Sequence, residues 1–223
     1  MKDLLKKDFI NHYNRHPNLP IKKDEITILY NSVDDISFEI KEETGKKDNI
    51  GNEIYGVARY LNPNKLEINI IHYEKFITPL PPRIKNTDNV GKDICDFIVH
   101  SANSQYFLLN ELTNTAPEFV NEYKNSKGKN EGKFVKALRQ LKHSLKILDN
   151  VPAIHTYIQK FAIKQCCFFN SYSTVIPDIN AIETFNRLDK IGPLTPSKMR
   201  NTDIESFGFE LCVFPSHCTY LLN

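Results

Sequence analysis

Residues 94–113 read ICDFIVHSANSQYFLLNELT and contain two short apolar runs joined by a polar turn. Runs of this length, rich in β-branched and aromatic residues, predict two neighbouring β-strands. Each predicted strand carries one carboxylate, Asp96 near the start of the first and Glu111 near the end of the second. A carboxylate in an apolar strand is costly unless it is paired, hydrogen-bonded or bound to a metal. A shared divalent cation would account for both residues.

The segment that follows predicts a long helix and a third strand. Over residues 133–150, KFVKALRQLKHSLKILDN, apolar side chains recur at steps of three and four, which is the helical period. A second helix is expected over residues 151–160. Residues 161–169, FAIKQCCFF, have the apolar and aromatic character of a buried strand. A strand–helix–strand connection of this length favours parallel pairing, with the helix crossing over the sheet.

The first third of the chain predicts a helix and a small antiparallel sheet. Apolar residues recur at helical spacing between Leu4 and Tyr13. Four apolar runs predict strands, over residues 26–33, 36–42, 54–61 and 66–76. Residues 79–92 form a connector whose prolines lack the N–H group that a central strand needs.

The C-terminal part predicts a helix over residues 180–188 and a closing hairpin made by residues 207–214 and 219–222. The whole chain, 1–223, is therefore expected to be one domain. Its expected parts are an N-terminal α+β elaboration (1–80), a core (94–170) and a C-terminal helix and hairpin (171–223). The predicted fold class is α/β, mixed α+β, with a mixed sheet flanked by helices.

The composition is that of an ordinary globular protein, with 40% hydrophobic and 25% charged residues. A net charge of +2 permits a nucleic-acid partner without arguing for one. No apolar run approaches 18 residues, so no transmembrane helix and no membrane partner are expected. The N-terminus lacks the apolar stretch of a signal peptide, and a cytoplasmic location is expected.

Five cysteines are present, an odd number with one vicinal pair and no CxxC motif. This pattern does not indicate the disulfide framework of a secreted protein. Cys212, His217 and Cys218 could contribute to a zinc site, but their spacing matches no zinc module. Buried thiols in strands are the preferred interpretation.

The order of elements from Asp96 onward resembles the core of the PD-(D/E)xK, or restriction-endonuclease-like, nucleases. In that family an Asp opens one strand, a Glu-x-Lys closes the next, and a Gln or basic residue often faces the site from the following helix. Asp96, Glu111 and Gln140 stand at the matching positions, and the resemblance covers residues 94–170.

The resemblance implies a restriction-endonuclease-like core and a catalytic set made of Asp96, Glu111 and Gln140. Asp96 and Glu111 would hold Mg²⁺ or Mn²⁺. The implied activity is metal-dependent cleavage of DNA phosphodiester bonds, of the kind used in restriction or defence. DNA is the implied partner, and a homodimer is compatible with this interpretation.

One position departs from the family pattern, because Thr113 stands where the family has its Lys. That Lys orients the attacking water and stabilises charge on the phosphate. Another side chain could supply the cation, and four candidates are His100, Lys142, His143 and Lys164. A second hypothesis is that the chain is a catalytically inactive nuclease-fold protein that serves as a nucleic-acid or protein interaction module.

Basic residues are concentrated between positions 124 and 146, where they could contact backbone phosphates. They are Lys124, Lys127, Lys129, Lys133, Lys136, Arg139, Lys142 and Lys146. The alternative is a solvated helix face. Likewise, Asp96 could be a turn or cap residue, and Glu111 could pair with a lysine of the helix.

Overall fold

The computed structural model describes residues 1–14, 21, 26–47, 51–125, 128–172, 196–215 and 218–223. Within these residues a seven-stranded mixed sheet lies between a layer of helices and a three-stranded sheet. The predicted α/β class, with mixed α+β character, is confirmed.

Strands are numbered here in chain order. They are β1 (Tyr30–Val33), β2 (Ser37–Lys47), β3 (Glu53–Leu61), β4 (Ile68–His72), β5 (Phe97–Ser101), β6 (Tyr106–Thr113), β7 (Tyr123–Asn125), β8 (Gly128–Asn130), β9 (Ile163–Asn170), β10 (Ser197–Met199), β11 (Glu210–Phe214) and β12 (Tyr220–Leu221). The large sheet has the order β1-β4-β5-β6-β9-β11-β10, and the small sheet has the order β12-β3-β2. As predicted, β5 and β6 are neighbours, and they pair antiparallel. The predicted parallel pairing of the strands on either side of the long helix is confirmed for β6 and β9.

The helices are also numbered in chain order. They are α1 (residues 2–13, with a π-helical centre at Leu5–Phe9), α2 (Tyr73–Ile77), α3 (Pro82–Lys85), α4 (Gly132–Asp149), α5 (Pro152–Ile158) and α6 (Thr202–Glu205). The predicted helices near the N-terminus and over residues 133–160 are confirmed. None of the helices in the described part of the chain combines the length and apolarity that a bilayer crossing requires.

Two apolar cores cover the two faces of the large sheet. Side chains of a strand alternate between faces, so Ile98 and Leu109 pack on the helix side, while Val99 and Leu108 pack against the small sheet. Fully burying a side chain of this size contributes about 1.5–3 kcal/mol. By the same alternation, the side chains of Asp96 and Glu111 lie on the face of the large sheet that the helices cover.

The expected N-terminal sheet is wrong in two respects. β1 and β4 belong to the large sheet, whereas β2 and β3 form the small sheet with β12. The strand predicted over residues 66–76 ends at His72, and helix α2 follows at once. His72 caps this helix, because its Nδ1 accepts a hydrogen bond from the backbone N–H of Lys75. This cap therefore marks the point, within the apolar run, where the strand ends and the helix begins.

The predicted C-terminal hairpin is also wrong. β11 runs parallel to β9 in the large sheet, whereas β12 runs parallel to β3 in the small sheet. Tyr220 and Leu222 are buried in the core between the sheets, and this burial holds the chain end there. The helix predicted over residues 180–188 lies outside the described residues. The division into three parts, 1–80, 94–170 and 171–223, stays a prediction.

Candidate functional site

Glu111 lies on β6 of the large sheet, and Asp96 immediately precedes the neighbouring strand β5. The register pairs Phe97 with Asn110 and Ile98 with Leu109, so its continuation places Asp96 opposite Glu111. The backbone N–H of Asp96 donates to the carbonyl oxygen of Asn110 at 3.1 Å. Asp96 Oδ2 accepts a hydrogen bond from the N–H of Leu112 at 2.7 Å. The structure therefore brings the two predicted carboxylates to one place. The Asp96 side chain also bonds to the backbone of the neighbouring strand, which is a structural role other than the turn or cap of the simpler alternative.

Both carboxyl groups have raised pKa values. Burial raises the pKa of Asp96 to about 8, the Leu112 N–H opposes this shift, and the charges of Glu74 and Glu42 add to it. Burial, followed by the charge of Asp96, raises the pKa of Glu111 well above its usual value. Two buried carboxylates are therefore ill suited to being ionised together unless a cation joins them.

Two oxygen atoms near this pair have no hydrogen-bond partner among the described residues, namely Glu111 Oε2 and Gln140 Oε1. Gln140 is 6% exposed, and its Nε2 donates to the carbonyl oxygen of Ile94 at 2.8 Å. This bond holds the Gln140 amide against Ile94, two residues before Asp96. The Gln140 Oε1 atom is left without a partner among the described residues. A buried acceptor without a partner costs about 1–3 kcal/mol. Both oxygens are therefore candidates to contact a ligand.

Helix α2 places a third carboxylate near the pair. The N–H groups of Tyr73 and Glu74 donate to the carbonyl oxygen of Asp96 at 2.8 and 3.3 Å. Glu74 therefore starts the helix next to Asp96. From the small sheet, Glu42 Oε2 lies 2.6 Å from His72 Nε2. The sequence prediction missed Glu74 because it assigned this segment to a strand.

Helix α4 presents two lysines to the pair. The charge of Lys136 lowers the pKa of both carboxyl groups, and Lys133 lowers that of Glu111. Lys133, Lys136 and Gln140 are three and four residues apart, so they share one face of the helix. The sequence prediction assigned these lysines to phosphate contacts or a solvated face and did not consider them as the missing cation. The spacing from Gln140 was the signal that could have identified them.

The four side chains predicted as a substitute cation have other contacts. His100 is buried against Tyr157 and Phe161, and burial lowers its pKa to about 4. Lys142 pairs with Asp203. His143 Nε2 lies 2.9 Å from the carbonyl oxygen of Asn89, and Lys164 donates to Gln159. By strand alternation His100 is on the same face as Asp96, but it stands four residues further along the chain.

Thr113 is enclosed where the family has its Lys. The residue is 7% exposed, and its Oγ1 lies 2.7 Å from Thr115 Oγ1. Gly56 of β3 approaches so closely that an added Cβ would lie 2.8 Å from the Thr113 nitrogen. The backbone at Thr113 is thus packed against the small sheet. The positively charged side chains near the carboxylates are those of Lys133 and Lys136 on α4.

The predicted basic face of α4 is partly neutralised. Arg139 pairs with Asp93 and Glu131, and Lys142 pairs with Asp203. Part of this face is therefore an ion-paired helix surface. The side chains of Lys124, Lys127 and Lys129 lie outside the described part of the structure.

The donor set limits the kind of metal that the site could hold. Among the described residues no group of three or more His, Cys, Asp or Glu side chains could hold a metal ion. Asp96 and Glu111 supply two carboxylates, which suits a hard cation that keeps several waters. All five cysteines are buried, as the preferred interpretation expects, and His217 lies outside the described residues.

Comparisons with protein-family models, with curated proteins and with solved structures found no match to this chain.

Proposed function

We propose that the chain is a metal-dependent nuclease that hydrolyses phosphodiester bonds of DNA, with a site built on Asp96 and Glu111. The observation that carries the proposal is the buried carboxylate pair, whose raised pKa values and unpaired Glu111 Oε2 call for a cation. The element order and the helix glutamine of the PD-(D/E)xK resemblance support the same activity.

The proposed ion is Mg²⁺ or Mn²⁺, held by the carboxylates of Asp96 and Glu111. Mg²⁺ is commonly bound through one or two carboxylates, with waters and substrate phosphates as the other ligands. When bound, such an ion lowers the pKa of a coordinated water and offsets negative charge on the phosphate.

The protein's own residues have two further tasks in the proposed hydrolysis. The water oxygen gives up a proton to solvent as it bonds to phosphorus, the bond to the leaving sugar oxygen breaks, and that oxygen takes a proton from solvent. Lys136 stabilises the negative charge that the phosphate oxygens gain, in place of a lysine at position 113. Gln140 Oε1, which has no partner among the described residues, accepts a hydrogen bond from the attacking water.

The alternative is an inactive nuclease-fold protein that binds nucleic acid or another protein. The enclosed Thr113 favours it, because this residue carries no positive charge where the family has its lysine. Lys136 separates the two proposals, since only an active enzyme depends on it for rate.

The first prediction concerns cleavage of supercoiled plasmid with Mg²⁺ or Mn²⁺. We expect slow nicking by the wild type and none by Asp96→Asn or Glu111→Gln. Lys136→Ala should lower the rate by about a hundred- to a thousand-fold, which is typical for losing one positioned electrostatic group. Calorimetry should show Mn²⁺ binding that persists in Lys136→Ala and is lost in Asp96→Asn.

The control is Lys198→Ala, because Lys198 is exposed and pairs with Glu210 on β11. It should cleave at the wild-type rate. Cleavage that survives both carboxylate substitutions would contradict the proposed nuclease. Mn²⁺ binding and DNA binding without any cleavage would favour the inactive alternative.

A further inference from the structure

A cleft of about 360 Å³ opens between the start of α4 and strand β2. Three lysines line it, Lys46 from β2 and Lys133 and Lys136 from α4, and we call it the lysine cleft. Lys136 also lines a second cleft, together with Glu74 and Gln140. The lysine cleft therefore adjoins the proposed site through Lys136.

The charges around the lysine cleft favour an anion. Lys46 and Lys136 are close enough to Lys133 that their repulsion, added to burial, lowers the pKa of Lys133. Among the described residues, the one carboxylate that lines the cleft belongs to Glu131, and Arg139 pairs with it at 2.5 Å. Asp96 and Glu111 attract Lys133 from the side of the proposed metal site. Like charges that the fold holds together bind an anion well, because the anion relieves their repulsion.

One side of the cleft is closed by protein. Gly132, which lines the cleft, lies against the loop before α4, where an added Cβ would be 2.3 Å from the carbonyl oxygen of Asn121. The N–H of Phe134 donates to the carbonyl oxygen of Val120 at 2.8 Å. A strand that ends in the cleft needs no path past this contact.

We propose that the lysine cleft binds a terminal phosphomonoester of the nucleic-acid strand whose adjoining phosphodiester lies at Asp96 and Glu111. The inference rests on the proposed function and adds that the enzyme acts at phosphorylated strand ends. A phosphomonoester carries about −1.5 to −2 charges at neutral pH, whereas an internal phosphodiester carries one. Three lysines in one cleft match the greater charge.

The test is binding of labelled eight-nucleotide single strands to the full chain in EDTA, measured by fluorescence anisotropy. The strands carry a 5′-phosphate, a 3′-phosphate or hydroxyl groups at both ends. One phosphorylated strand should bind about tenfold more tightly than the hydroxyl strand, as expected for an added charged hydrogen bond. The double variant Lys46→Ala/Lys133→Ala should lose this preference, whereas Lys41→Ala, on the outer face of the same strand, should keep it.

Equal binding of all three strands would overturn the inference, and so would a preference that survives Lys46→Ala/Lys133→Ala. Binding of inorganic phosphate by the wild type without any preference among strands would overturn the assignment to a strand end. Thermal unfolding of each variant checks that the fold is kept. Because EDTA prevents metal-dependent cleavage, an end preference found without nuclease activity would support the cleft and contradict only the proposed hydrolysis.

Discussion

Asp96 acts in two opposite ways on the stability of the fold. Its Oδ2 accepts the N–H of Leu112 at 2.7 Å, which joins the start of β5 to the end of β6. Its charge, however, is buried at 5% exposure beside Glu111 and near Glu74. Burial of an ionised carboxylate opposes folding, whereas a metal ion bound there would relieve the cost. The residue is therefore better suited to holding a cation than to stabilising the unliganded fold.

The second prediction is that Asp96→Asn stabilises the metal-free protein at alkaline pH. Burial raises the pKa of Asp96 to about 8, so between pH 4 and 8 the folded state holds a proton that the unfolded state has released. The free energy of unfolding contributed by Asp96 therefore falls as pH rises through this window. Each pKa unit corresponds to about 1.4 kcal/mol, or about 3–5 °C in Tm for a chain of this size.

The measurement is thermal unfolding in EDTA at pH 5 and pH 8. The Tm advantage of Asp96→Asn should be larger at pH 8, because asparagine is neutral and its side-chain oxygen can still accept the Leu112 N–H. Asp93→Asn is the control, because the Asp93 side chain is 34% exposed beside Arg139. This substitution should not raise the Tm at either pH. A Tm for Asp96→Asn at pH 8 that is no higher than that of the wild type would contradict the cost assigned to the buried charge.

At the scale of elements, helix α4 organises the site. It carries Gln140 against Ile94 and directs Lys133 and Lys136 toward the carboxylates. Its position depends on its first residue, Gly132, which has φ +77° and lies against Asn121. Only glycine combines that backbone angle with so close an approach. The loop before the helix therefore fixes where both lysines lie.

The third prediction is that Gly132→Ala displaces the start of α4. The added Cβ would lie 2.3 Å from a backbone oxygen, so the loop or the helix must move. Unfolding free energy should fall by more than the roughly 1–2 kcal/mol that a left-handed alanine costs by itself. Urea unfolding measures the loss, and the preference for a phosphorylated strand should weaken with it.

Gly45→Ala is the matched control for this substitution. Gly45 has φ +68°, but nothing lies within 4 Å of an added Cβ. The Gly45→Ala variant should therefore lose only the unfolding free energy that the left-handed backbone angle costs, without any loss from a clash. Equal losses in the two variants would mean that the contact with Asn121 does not position the helix.

At the scale of the whole molecule, the small sheet supports the site from the opposite face. Gly56 of β3 lies against the backbone of Leu112 and Thr113, immediately after Glu111. Between the sheets, Asn110 Nδ2 donates to the Tyr60 hydroxyl at 2.5 Å. The end of β6 is thus held by the small sheet on one side and by α4 on the other.

The fourth prediction is that Gly56→Ala separates the two sheets locally. The new Cβ would lie 2.8 Å from the Thr113 nitrogen and 2.9 Å from the Leu112 carbonyl carbon. Overpacking of this kind lowers the free energy of unfolding by about 1–3 kcal/mol. Each kcal/mol lost should lower the Tm by roughly 2–4 °C. Mn²⁺ affinity should fall as well, because the Leu112 N–H bonds to Asp96.

Scanning calorimetry and titration calorimetry measure the two effects. Glu43→Ala is the control, because Glu43 is exposed on the small sheet opposite Tyr55. It should leave both quantities near the wild-type values. Unchanged stability in Gly56→Ala would mean that the sheets can shift apart freely at this contact.

The sequence by itself determined the elements whose side-chain pattern is local. The 3.6-residue period of α4, the apolar runs of β5, β6 and β9, and the parallel pairing of β6 with β9 could all be predicted. Asp96 and Glu111 stood out for the same reason, because a carboxylate in an apolar strand is conspicuous without any structure. Gln140 was recognised through its position in the family pattern.

Tertiary structure alone decided how distant segments meet. The partner of an edge strand depends on which of its side chains become buried in the folded protein. The sequence therefore could not show that β12 pairs with β3 instead of β11. The cap made by His72 turned an apolar run into helix α2 and brought Glu74 beside Asp96. Lys133 and Lys136 look like surface lysines in the sequence. They become part of the candidate site because α4 packs over the end of β6, and electrostatic interaction depends on distance in space.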